Sequence, residues 1–72
     1  MTIGWVITQS NLSGVSEFLN VNGDSEYGWS WSTVPKKATI FLERHQVDYW
    51  FEEVLENHTS NTTEIVPVEI HY

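Results

Sequence analysis

Apolar residues recur along this chain with two periods, and the change from one to the other marks its elements. Over residues 3–8, Ile3, Trp5 and Ile7 alternate with smaller or more polar neighbours, the period of two expected of a strand. Ser10, Asn11, Leu12, Ser13 and Gly14 follow as turn residues. Segments 15–21 and 25–33 flank Asn22 and Gly23, a pair that tolerates the positive φ of a type I′ hairpin turn. With Asn22 and Gly23 as the whole loop, Val21 faces Asp24, Asn20 faces Ser25, Leu19 faces Glu26, Phe18 faces Tyr27 and Ser16 faces Trp29. Phe18, Tyr27, Trp29 and Trp31 then share one face of the ribbon. The other face carries Val15, Glu17, Leu19, Val21, Asp24 and Glu26 among small residues.

Pro35 ends this ribbon, and the apolar run at 38–42 either extends the sheet or leads into a helix. Across residues 43–57 the period lengthens. Val47, Trp50, Phe51, Val54 and Leu55 fall at i, i+3, i+4, i+7 and i+8, one stripe of an amphipathic helix. Residues 64–71 return to strand, with Val66, Val68 and Ile70 on one face, and Pro67, which has no N–H to donate, predicts an edge position. The fold class expected is α+β: a small antiparallel sheet of about four strands with one helix packed on one face, in the order β-β-β-α-β. Residues 1–72 form a single domain.

A chain of 72 residues has room for one modest core. Four Trp, three Tyr and three Phe supply it, and with no Cys neither a disulfide nor a thiolate metal site contributes. The aromatic face of the ribbon is therefore expected beneath the helix, leaving Val15, Leu19 and Val21 as an apolar island in solvent. Without a basic leader or an apolar run of about 18 residues, the expected location is cytoplasmic, with no membrane partner. The sequons at Asn11, Asn57 and Asn61 then read as ordinary turn residues.

Charge narrows the functional classes. Ten acidic residues against three basic ones give −7, and Lys36, Lys37 and Arg44 are too few to neutralise phosphates, so no direct nucleic-acid partner is expected. Asp48, Glu52 and Glu56 repeat at i, i+4 and i+8 with Glu53 beside them, like charges in the half of a helix where the dipole disfavours anions. A solvated face explains such a run. The alternative is that a basic partner relieves it, since local rules are often broken where a protein binds. Asp48, Glu52, Glu53 and Glu56 are the candidate partner-binding residues, with Glu17, Asp24 and Glu26 as a second surface. His45, His58 and His71 lie thirteen residues apart, without the spacing of paired metal ligands, and no nucleophile elbow or phosphate-binding loop occurs. No catalytic residue, metal or cofactor is assigned, and an enzyme is not expected.

Ala38-Thr39-Ile40-Phe41, followed by a helix and by Glu64-Ile65-Val66-Pro67-Val68-Glu69-Ile70, resembles very small uncharacterised bacteriophage proteins of the host-takeover type. The resemblance covers the C-terminal half. Such proteins often bind and inhibit a host enzyme complex, and some acidic ones imitate the charge of DNA. It thus implies a phage-encoded inhibitor or modulator, acting in the host cytoplasm, that docks its acidic surface on a basic site of a larger host protein. One alternative is a structural or assembly subunit that homodimerises through an edge strand or the apolar sheet patch. Another is single-stranded nucleic-acid binding through exposed Trp.

Overall fold

The computed structural model describes residues 2–22 and 27–70. Strands β1 (Thr2–Ser10), β2 (Ser16–Val21), β3 (Trp29–Ser32) and β4 (Glu64–Ile70) form an antiparallel sheet in the spatial order β3-β2-β1-β4. One helix lies between β3 and β4 in sequence: α1 (Arg44–Tyr49), continued without a break by a π-wound turn, Trp50–Val54. This is the expected α+β order, with β1 central and β4 at the edge.

The β1–β2 turn is built by Asn11. Its side-chain Oδ1 accepts from the N–H groups of Ser13 and Val15 at 2.9 and 3.0 Å, and Gly14 closes the turn at φ +78° by donating to the Asn11 carbonyl. A three-residue loop ending in a left-handed glycine is a common hairpin solution. It sets Thr8 opposite Phe18, so Ile7 and Leu19 lie side by side on the same face.

The second hairpin departs from the expected register. Val21 stands opposite Trp29, Leu19 opposite Trp31 and Phe18 opposite Ser32. Asn22 has no positive φ; its N–H donates to the carbonyl of Gly28, and Gly28 takes the left-handed conformation at φ +80°. The loop is thus closed by Gly28, not by a two-residue Asn22-Gly23 turn; Gly23, Asp24, Ser25 and Glu26 lie outside the described residues. Moving the pairing by an odd number of residues turns every β2 side chain to the other face. Leu19, expected in a solvent-facing island with Val15 and Val21, is fully buried beside Trp29, while Phe18 lies on the opposite face with Ser30 and Ser32.

The core sits between the helix and this first face: Ile7, Leu19, Trp29, Phe41, Val47 and Leu55 are buried, with Trp5, Trp31, Trp50, Phe51, Val54 and Ile65 packed against them. Val47, Trp50, Phe51, Val54 and Leu55 thus act as the predicted stripe. Local signals for the helix are poor. Its N-cap Glu43 makes no side-chain cap bond, the first turn of α1 holds no acidic residue, and the last turn holds no basic one. Burial of the stripe holds it in place. The helix ends at Val54, earlier than the expected Asn57: Leu55 N–H still reaches back five residues to Trp50 O, but its backbone leaves helical geometry at φ −96°, ψ 18° and its side chain is buried in the core.

Residues 39–41 settle both alternatives for the apolar run. Thr39 N–H donates to Leu19 O, Thr39 Oγ1 accepts from Val21 N–H at 2.8 Å, and Phe41 pairs with Trp5. The segment wedges between β2 and β1 where they diverge, then leads into α1. Ile40 reaches over Gly4, where a Cβ would lie 2.6 Å from Ile40 Cγ2 and 3.0 Å from Ile70 Cδ1. Gly4 is thus a close-approach glycine.

Candidate functional site

The four helix residues singled out by charge do not behave as one ridge. Asp48 Oδ1 accepts from Arg44 Nε at 3.1 Å, an i, i+4 pair, and the Arg44 guanidinium also lies 6.0 Å from the centre of the Trp5 ring. A basic residue therefore interrupts the run at its N-terminal end. Glu52 and Glu53 are exposed on the π-wound turn. Glu56 is exposed beyond the helix end, so the i, i+8 spacing from Asp48 does not translate into one straight stripe. His45 Nε2 also lies 3.1 Å from Glu43 Oε2. Glu52, Glu53 and Glu56 form the part of the cluster left facing solvent.

Of the second surface, only Glu17 falls within the described residues. Glu17 lies on the helix-side face, half-buried, and accepts from Gln9 Nε2 at 3.2 Å. Asp24 and Glu26 lie outside the described residues.

Two features escaped the sequence. His58, read as an ordinary surface histidine, sits with its ring 5.0 Å from Trp29 and 5.7 Å from Tyr27, while Trp29 meets Trp31 edge-on at 6.2 Å. This ties the turn after the helix to β3, and no short-range pattern announces it. Trp29 is only 8% exposed, whereas Tyr27 at 66% stands at the margin, so Trp29 and Trp31 serve the core and offer no open stacking ladder. The second feature is an open groove of about 530 Å³ lined by Phe41, His45, Gln46, Tyr49 and Trp50. Its floor is Phe41, which the 38–42 run could have indicated as a helix-facing anchor.

Among the described residues no group of three His, Asp or Glu side chains comes together to hold a metal ion, and no helix is long and apolar enough to cross a membrane. Comparison with protein-family models, with curated proteins and with solved structures finds no match to this chain.

Proposed function

We propose that this chain is a small protein-binding module that docks the acidic side of its helix on a basic surface of a larger protein. The observation that carries the reading is the exposure of Glu52, Glu53 and Glu56 on and just beyond the last helical turn, where the dipole disfavours them and no described cation pairs with them. The net charge of −7 would steer encounter with such a surface. In this reading the partner is a protein of the host of a bacteriophage, and where its basic site normally holds nucleic acid the carboxylates take the place of phosphates. The chain contributes binding and carries out no reaction.

The test is a pull-down from bacterial lysate with the native chain and with Glu52→Gln, Glu53→Gln and Glu56→Gln combined. The expected result is a partner retained by the native chain, released by raised salt and lost from the triple variant. An unchanged set of captured proteins overturns the reading.

A second reading, a self-associating subunit, is favoured by the composition of the sheet face turned away from the helix. The apolar patch expected for it, Val15, Leu19 and Val21, is not available, since Leu19 is buried. The β4 edge is blunted as well. The N–H and C=O of Trp5 both point to Phe41, so its opposite number Pro67 directs its missing donor outward, at the middle of the β4 edge.

A further inference from the structure

We infer that the sheet face turned away from the helix packs against the same face of a second copy, giving a symmetric dimer of two stacked sheets. Phe18, Ile40, Val66, Val68 and Ile70 form its apolar centre over the already buried Val6: the pairings place them on the side opposite Ile7, Leu19 and Ile65, and none belongs to the core that the helix covers. Around them the strands contribute Gly, Ser, Thr and Asn. Among the described residues the one charge that the strands bring to this face is Glu64, at its corner where β4 begins.

Charge decides what this face accepts. A neutral face gains nothing from a strongly charged partner, whereas a copy of −7 can approach another of −7 only where the carboxylates stay apart. Stacked sheets lie roughly 10 Å apart, and a helix layer adds about as much again on each outer side. The two acidic helices would then be separated by roughly 30 Å, more than three Debye lengths of about 8 Å. Any helix-to-helix approach brings the carboxylates together. Pairing through the β4 edge is obstructed by Pro67, and the other edge, β3, offers only four residues, which leaves stacking as the broader route.

Four strands spaced about 4.8 Å apart and about seven residues long present roughly 450 Å² in projection per copy. About 900 Å² for the pair falls below the range of stable specific interfaces and among weak, transient ones, so dissociation should lie in the micromolar range or above.

Sedimentation of the intact chain from about 1 μM to about 1 mM, a range that brackets such affinities, tests this. The expected result is a shift from monomer to dimer that strengthens with added salt, because screening removes repulsion and no attraction. Val68→Lys should weaken association at least about tenfold by burying an unpaired charge. Asn20→Arg, opposite the uncharged Ser30 on the same face, leaves the apolar residues intact and should do the same should Val68→Lys fail to fold. Glu52→Gln with Glu53→Gln should leave the dimer in place, which separates this inference from docking by the acidic helix. A monomer throughout, a dimer that dissociates as salt rises, or a dimer unaffected by a folded face variant would overturn it.

Discussion

Trp5 and Phe41 exchange both of their backbone hydrogen bonds, at 2.9 and 2.8 Å, across an isolated bridge between β1 and the segment leading into the helix. The bridge fills the fork where β2 leaves β1, brings the Phe41 side chain under the helix, and frees Trp5 from any need of a donor at Pro67. One pair thus links the sheet, the core and the edge strand.

The same fork makes Gly4 sensitive. Gly4→Ala sets a methyl against Ile40 Cγ2, Ile70 Cδ1 and the Phe41 carbonyl, and overpacking of this kind costs about 1–3 kcal/mol. Urea denaturation should show a lower midpoint with an unchanged slope. In an Ile40→Ala background the same substitution should cost less, since the nearest obstruction is gone.

Burial on β2 gives a direct check of the register. Leu19→Ala should lose about 2–5 kcal/mol, the cost of a cavity in a packed core. Val15→Ala, at an exposed position, should change stability by no more than about 0.5 kcal/mol. Similar small losses at both positions would return Leu19 to solvent and restore the two-residue turn.

Indole emission reports on the same face. Trp29 is shielded by Leu19, Trp31 and His58, so acrylamide should reach it poorly in the folded state. Trp29→Phe should remove that protected component and leave emission that quenches more steeply. A Trp29 as accessible as free indole would instead favour a stacking surface.

The acidic residues should divide by partner. Glu52→Gln and Glu53→Gln relieve repulsion and an unfavourable dipole contact, so each should raise stability at low salt by about 0.3 kcal/mol and the unfolding midpoint with it, the gain fading as salt rises. Asp48→Asn removes the partner of Arg44 and should lower the midpoint. Thermal unfolding at two salt concentrations distinguishes the signs.

The element order was legible because each period runs long enough to be unambiguous, and Pro67 marked the edge through its missing donor. The pairing of the second hairpin was not, because two glycines compete for the loop and the sequence pair Asn22-Gly23 carries the stronger turn signal. Strand β2 itself held the corrective: Leu19 and Val21 alternate with Asn20 and Ser16, so their face is the more apolar, and Phe18 is the exception on the other. The division of the acidic run was partly legible, since Arg44 stands four residues before Asp48. The shift of Glu56 off the helix accompanies a π-wound turn and a buried Leu55, an arrangement that the local apolar pattern does not encode. The contact of His58 with Trp29 spans 29 positions and is equally invisible to periodicity.

The Asn11 turn leaves Leu12 wholly in solvent, while its side-chain bonds to Ser13 and Val15 brace the strands on either side. A fluorophore coupled to a Leu12→Cys variant would project from this turn into solvent and leave the Asn11 bonds in place. That makes the tip a natural handle for immobilising the chain or for measuring the approach of one copy to another by energy transfer.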